Sequence, residues 1–265
     1  MSKPFDHIAA SYDATFTKSA IGQLQRKRVW DYIEKIIPEL NGLEILELNC
    51  GTGEDALLFS EKGFNIVATD VSTEMLKVTQ QKAQKFSMQH RISSQYLNLE
   101  SFDETVFDKK FDLIFSNFGG INCISPELLK ELLQKIPSVL APNGRVVSVI
   151  MPRFCLWETF YFLLKLRFTQ AFRRWTAKEV LVDLNGTEIK VWYHQPILLK
   201  KASAENFKTI SSLPIGIALP PSYLETFFVK RPRLLTFLNR LEGIVNRFSL
   251  FSSLADHYII DLKLK

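Results

Sequence analysis

The chain has 265 residues, 46% of them hydrophobic and 23% charged, with three cysteines. That length and balance supply one large core, or one core with an insertion, and exclude a disordered or disulfide-stapled chain. The net charge of +5 is uneven, with residues 1–150 summing to −3 and residues 151–265 to +8. The basic half suits an acidic substrate, an acidic carrier protein or an anionic membrane surface, or is simply a solvated face, and no basic cluster interleaved with aromatics points to nucleic acid.

The start, MSKPFDHIAASYDATF, lacks the apolar core of a signal peptide. The most apolar run, residues 154–168, is too short to span a bilayer and carries Glu158, Lys165 and Arg167. Cys50, Cys123 and Cys155 show no paired spacing, so reduced thiols, no metal site and a cytoplasmic location are expected.

Helical periodicity covers residues 24–37 and stops at Pro38. A short apolar strand, 44–48, runs into Gly51 and Gly53, and a helix follows over 54–62, ended by Gly63. A strand over 65–70 finishes on Asp70, and a helix over 73–87 starts from a cap at Ser72 or Thr73. Strands are expected at 92–97 and 111–116, a helix at 126–140, a turn at Pro142-Asn143-Gly144, and a strand at 145–151. Strands alternating with helices imply parallel crossovers and a doubly wound α/β sheet.

After Pro152 the rhythm changes. The pattern predicts one long aromatic helix over 157–175. It then predicts a hairpin of strands 180–184 and 189–193 around Asn185-Gly186. A helix over 204–210, a loop ending in Pro220-Pro221, a helix over 234–248 and an alternating strand over 257–265 complete the chain. The expected organisation is a core over 1–151 with an N-terminal helical cover. A helix-and-hairpin lid is inserted over 152–215, and the chain returns to the core over 216–265.

In an open α/β sheet, ligands sit outside the carboxyl ends of the strands. Gly51 and Gly53 follow the first strand, where the lack of a Cβ permits close approach and positive φ. Asp70 ends the second strand about 20 residues on, the spacing at which a carboxylate takes both hydroxyls of a ribose. Asn98 follows the third strand and Ser116-Asn117-Phe118 the fourth. Gly51-x-Gly53-x-x-Ala56 also fits a dinucleotide fingerprint, but the carboxylate of Glu47 beside the turn would repel a pyrophosphate and hold a cation. Glu54 and Asp55 add to an anionic mouth, or serve only as helix-dipole partners.

The runs Glu47-Leu48-Asn49-Cys50-Gly51-Thr52-Gly53, Asp70-Val71-Ser72-x-x-Met75-Leu76 and Phe111-Asp112-Leu113-Ile114-Phe115-Ser116-Asn117 resemble class I S-adenosylmethionine-dependent methyltransferases. The likeness is to the small-molecule group similar to ubiquinone and menaquinone methylases, and it covers about residues 5–151 plus the terminal strand. The chain departs from the usual pattern at Leu48-Asn49-Cys50 and at Asn98, where Asp is usual.

The resemblance implies a Rossmann-like sheet, mostly parallel, with an antiparallel C-terminal strand. It implies S-adenosyl-L-methionine as cofactor. Glu47, Asn49, Cys50, Gly51, Thr52 and Gly53 would face its amino acid end. Asp70, with Ser72 and Met75 following, would hold the ribose. Val71 and Leu99 would flank the adenine with Asn98 at its edge, and Ser116, Asn117 and Phe118 would line the methyl. Phe5, His7 and Tyr12 would fold over the cofactor.

A base is needed only for a poorly ionised hydroxyl or an acidic carbon. The titratable groups within conceivable reach are His257, which follows Asp256, and His194, with Tyr12, His7 and Tyr193 behind them. Aromatic residues of the second half, among them Phe154, Trp157, Phe160, Tyr161, Phe162, Trp192 and Tyr193, suit an apolar or aromatic acceptor, or simply pack the helix onto the sheet. The leading expectation is a methyltransferase acting on a small, quinone-like or carrier-bound acceptor. The alternatives are a non-catalytic cofactor-binding module and an NAD-type oxidoreductase.

Overall fold

A computed structural model describes residues 5–13, 17–37, 42–184 and 186–265. Pro38, the Asn185 of the hairpin turn, and Ala14, Thr15 and Phe16 of the leading segment lie outside the described residues. The elements in chain order are α1 Ala9–Tyr12, α2 Ala20–Ile36, β1 Glu44–Leu48, α3 Glu54–Glu61, β2 Asn65–Asp70, α4 Thr73–Lys85, β3 Ile92–Tyr96 and β4 Phe111–Ser116. Then follow α5 Pro126–Lys135, β5 Leu140–Ile150, α6 Leu156–Leu164, α7 Phe168–Ala171, β6 Val180–Leu184, β7 Thr187–Val191 and α8 Pro196–Ser203. The chain closes with β8 Phe207–Ile215, α9 Glu225–Phe228, α10 Pro232–Val245 and β9 His257–Leu264.

Seven strands form one sheet in the order β3-β2-β1-β4-β5-β9-β8. β1 to β5 pair in parallel, and β9 runs antiparallel to both neighbours. The expected α/β doubly wound sheet and its antiparallel last strand are therefore present. The chain leaves the β3 edge and re-enters beside β1 as β4, so the strand order reverses between β1 and β4. A cleft opens at such a switch because the flanking crossovers go to opposite faces.

The strand period of two divides the core. In β1, Leu46 and Leu48 join the cluster that α5 and α8 cover, through Leu129, Leu132 and Leu199. Ile45 faces the other cluster, which α2 and α3 cover through Val29, Trp30, Ile33 and Phe59. Glu47 shares the Ile45 face by alternation, and so points beneath α3. Caps fix the helix starts: Ser19 Oγ accepts from Gly22 N–H (3.0 Å), Ser72 Oγ from Met75 N–H (3.1 Å) and Ser125 Oγ from Leu128 N–H (3.3 Å). Of the two caps expected for α4, Ser72 is the one used.

Three expectations are corrected. The long aromatic helix over 157–175 is two helices, α6 and α7, broken where Leu166 adopts φ of 56°. The reversal lets Glu158 of α6 take hydrogen bonds from both Arg173 and Arg174, at 2.6–3.1 Å. The helix expected over 204–210 is instead α8, ending at Ser203, followed by strand β8. β8 is an edge strand held by its pairing to β9, and only at an edge is Pro214 tolerated. Residues 152–215 thus do not form a single insertion, because β8 belongs to the main sheet. No helix among the described residues is long and apolar enough to cross a membrane.

Candidate functional site

A cavity of about 560 Å³ opens outside the carboxyl ends of β1, β2 and β4. Its base is the turn after β1. Gly51 and Gly53 hold φ of 54° and 77°, and a Cβ on Gly53 would lie 2.6 Å from Thr79. Non-glycine residues take the same left-handed region at Asn49 (φ 51°) and Phe118 (φ 43°), both in the lining. Such outliers persist where surrounding structure fixes them. Here Asn49 Oδ1 accepts from Ser116 Oγ at 2.8 Å, and Asn49 Nδ2 donates to the Asn117 carbonyl at 3.2 Å.

Asp70 braces the turn. Its Oδ2 accepts from Gly51 N–H and its Oδ1 from Ser72 N–H, each at 2.9 Å. Burial pushes the Asp70 carboxyl up from its ordinary pKa, and these backbone donors pull it back. With the Val71 amide as a third donor, the carboxylate retains acceptor capacity for a ligand hydroxyl. Asp55 at the head of α3 is bound by Arg26, by Trp30 Nε1 (2.8 Å) and by Asn117 Nδ2 (2.9 Å). Asn117 Oδ1 is buried and without a partner among the described residues, an acceptor left for a ligand donor.

The leading segment covers the site. Asp6 accepts from Ser72 Oγ, and Asp13 from Thr52 Oγ1, each at 2.6 Å. Lys82 ties Asp13 (2.6 Å) to Glu54. Phe5 and Tyr12 line the cavity, whereas His7 is exposed. Burial raises the Tyr12 phenol to about 12, so it stays protonated at neutral pH.

Of the expected cofactor residues, Tyr12, Asn49, Cys50, Gly51, Thr52 and Asp70 line the cavity, as do Val71, Met75, Asn98, Leu99, Asn117 and Phe118. Asn98 Oδ1 also accepts from Glu100 N–H at 3.0 Å. Glu47, Gly53, Ser72 and Ser116 lie outside the lining and act from behind it. Glu47 is 1% exposed, and burial first, then Asp55, pushes its carboxyl well above the ordinary range, against a hydrogen bond from the Ala56 backbone. Glu47, expected to set the sign of the ligand's charge, thus lies behind the lining. The lining itself carries Glu54, Asp55, Asp70, Glu100 and Glu188 against Arg26 and Lys190.

Neither expected histidine reaches the cavity. His194 is buried, its Nε2 lies 3.2 Å from the Ile124 carbonyl, and burial lowers its pKa to about 4. His257 Nδ1 lies 3.3 Å from Asp256 Oδ2, as their adjacency suggested, but the ring packs edge-on against Phe118 at 5.3 Å, one layer behind the lining. Tyr193 is buried under Arg174, with the guanidinium 5.1 Å from its ring. The aromatic residues of α6 do not line the cavity either. Trp157 packs on Phe228, and Tyr161 and Phe162 on Tyr223.

Much of the rest of the lining comes instead from β7, with Glu188, Ile189, Lys190 and Val191, and from Gly120, Cys123, Ile124 and Met151. These were not legible as site residues, because a hairpin strand carries no local signal of what it covers. Asn122 fixes this wall: its Nδ2 donates to the carbonyls of Met151 (3.1 Å) and Trp192 (2.6 Å), and the Trp192 N–H donates to its carbonyl at 2.7 Å.

Comparison with known proteins adds three findings. Residues 45–144 match the family described as methyltransferase domain. Among curated proteins, demethylmenaquinone methyltransferase of Clavibacter sepedonicus is 30% identical over 148 residues, 56% of each chain. Malonyl-[acyl-carrier protein] O-methyltransferase of Pectobacterium atrosepticum is 24% identical over 68% of this chain and 64% of its own. The chain thus spans less than two thirds of the length of these relatives. Among solved structures, the CcbJ methyltransferase of Streptomyces caelestis superposes with a TM-score of 0.65 at 11% identity, covering 99% of this chain and 98% of its own.

Proposed function

We infer, for a chain that belongs to the class I S-adenosylmethionine-dependent methyltransferases by its fold and by residues 45–144, that it moves a methyl group from S-adenosyl-L-methionine to a small acceptor. The observation that carries the reading is Asp70. It is buried at the end of β2, held by the Gly51 and Ser72 amides, and faces a cavity whose lining has more carboxylates than cations. A sulfonium and an ammonium suit that lining, whereas a dinucleotide brings a pyrophosphate that only Arg26 and Lys190 could meet. Arg26 is already bound to Asp55 and Lys190 to Glu179, and with Glu54 bound to Lys82 the carboxylates that set the lining's sign are Asp70, Glu100 and Glu188.

The sulfonium supplies a methyl that is already activated. The chain's residues then bind, align and dry the site. The remaining acceptor capacity of Asp70 serves the ribose, Val71 and Leu99 flank the adenine with Asn98 at its edge, and Asn117 Oδ1 takes the ammonium. Phe5, Tyr12 and Phe118 exclude water, and alignment of this kind is worth about 7–11 kcal/mol. Tyr12 and Cys123 both hold their protons, each raised to about 12 by burial. With the histidines behind the lining, an acceptor that is nucleophilic without a protein base suits the site best, such as an acidic phenol that is already ionised or an amine.

Ile124, Met151, Ile189 and Val191 make the acceptor wall apolar, which favours an apolar or aromatic acceptor, quinone-like or held on a carrier. Residues 152–195 would act as its cover. Thermal shift and calorimetry with S-adenosylhomocysteine and with NAD test the cofactor, and transfer of labelled methyl to a panel of quinols, phenols, amines and carrier-bound acids tests turnover. Tight binding of S-adenosylhomocysteine with no transfer would favour a non-catalytic module. Tight binding of NAD alone would overturn the reading in favour of an oxidoreductase.

A further inference from the structure

We propose that the outer face of α10, with the neighbouring α6–α7 turn, docks this protein on an anionic lipid surface. Leu234, Phe237, Leu241 and Ile244 recur at intervals of three and four along α10, and are 39%, 61%, 37% and 62% exposed. They form one stripe turned away from the core. The opposite side carries Leu235 and Glu242, both buried.

Beside the stripe runs a row of cations at intervals of seven, Arg233, Arg240 and Arg247, all exposed. The stripe continues past the helix in Phe248 and Leu250, 56% and 79% exposed. On the adjoining α6–α7 segment, Phe160, Leu164, Leu166 and Phe168 are each more than half exposed. The two helices meet on their inner sides in one cluster, Trp157 and Tyr161 of α6 with Leu235 and Leu238 of α10. Isolated exposed apolar residues are ordinary, but a patch of this extent marks a binding surface.

Charge chooses the occupant. Residues 226–255 contain five cations and a single carboxylate, Glu242. That carboxylate is buried and committed to the N–H groups of Gly216, Ala218 and Leu219, at 2.7–3.0 Å. Lys165 and Arg167 sit within the apolar α6–α7 turn, and no acid follows Glu158 until Glu179. A second copy meeting this face about a twofold axis would set arginine against arginine. An acidic carrier would answer the arginines but leave the phenylalanines and leucines in water. A bilayer with anionic headgroups answers both: apolar side chains enter the acyl boundary while arginines stay among the phosphates. The inference goes beyond methyl transfer and does not depend on it, since vesicle binding needs no cofactor.

The test is flotation of the full chain with vesicles of phosphatidylcholine alone and of phosphatidylcholine mixed with phosphatidylglycerol. Binding to the anionic vesicles is expected, weakening as salt is raised. Arg233→Gln/Arg240→Gln/Arg247→Gln should lower the partition on the order of a hundredfold. Phe237→Ser/Ile244→Ser, which leaves the charge intact, should lower it roughly tenfold or more. A melting curve for each variant checks the fold, and Arg240→Gln alone, expected to cost roughly fivefold, serves if a multiple variant unfolds. The proposal is overturned if the wild type stays with the buffer, if both variants float like the wild type, or if the wild type forms a dimer by light scattering that Phe237→Ser/Ile244→Ser abolishes.

Discussion

Asn49 and Gly120 occupy one another's space: a Cβ built on Gly120 would lie 1.9 Å from the Asn49 carboxamide carbon. Asn49 holds the end of β1 to the end of β4 through Ser116 and Asn117, so the missing side chain at position 120 is what lets the two strand ends be stitched together. Gly120→Ala must displace the carboxamide. Overpacking of this kind costs about 1–3 kcal/mol, and the melting temperature should fall together with affinity for S-adenosylhomocysteine. Asn49→Gly/Gly120→Ala should recover most of the melting temperature, since glycine keeps the positive φ at position 49 and clears the space. No recovery would show that position 120 is crowded by something else.

Asp70→Asn keeps the size but loses the charge and turns one oxygen into a donor facing the Gly51 or Ser72 amide. Hydrogen bonds to charged groups contribute about 1.5–3 kcal/mol. Calorimetry should therefore find S-adenosylhomocysteine bound roughly tenfold to a hundredfold more weakly. An unchanged Kd would remove Asp70 from the site.

Ile189 lines the cavity from β7, remote in sequence from the glycine turn, on the wall proposed to face the acceptor. Ile189→Ala and Ile189→Trp should change KM for the acceptor in opposite ways for small and large acceptors, with the cofactor Kd unaltered. A shift in cofactor Kd of the same size would mean that the hairpin seals the cofactor rather than the acceptor.

His194 links stability to pH. Its folded pKa is lowered to about 4, below the ordinary value of 6.5, so the unfolded chain binds more protons between those values. Its contribution is present above the unfolded pKa and is lost as pH falls through that window. Fully realised, it amounts to about 3 kcal/mol. Denaturant titrations at pH 7 and pH 4.5 should show a smaller loss for His194→Gln than for the wild type, and equal losses would assign the acid sensitivity to carboxylates.

Arg174 is 5% exposed and binds Glu158 (2.8 Å) and Asp256 (2.9 Å) together. Burial alone would raise both carboxyls; for Glu158 Arg174 leads in overriding it, and for Asp256 His257 does so ahead of Arg174. Arg174→Met leaves Glu158 to Arg173 alone and Asp256 to His257 and Gln25; breaking a buried pair outright costs about 3–5 kcal/mol, so the loss here stays below that. Guanidinium melts at pH 7 should show this loss, and a variant as stable as the wild type would show that water reaches the cluster.

The sequence by itself determined the alternating sheet, the glycine turn and its distance from Asp70. Each is a local matter, set by period-two apolar runs, by residues without a Cβ and by side-chain caps such as Ser72. The terminal strand was legible from its own apolar run, although the sheet buries both of its faces from His257 to Leu262, Asp261 included. Only the tertiary structure decided the rest. Phe207–Ile215, with its adjacent serines and Pro214, is a strand because β9 lies beside it, and no local preference announces that pairing. Glu158 folds the aromatic helix back on itself through ion pairs that exist only once Arg173 and Arg174 arrive. The crossover geometry buries Glu47 beneath α3, sets His194 and His257 behind the lining, and brings β7 over the cavity, because which face a side chain takes is settled by its neighbours across the sheet.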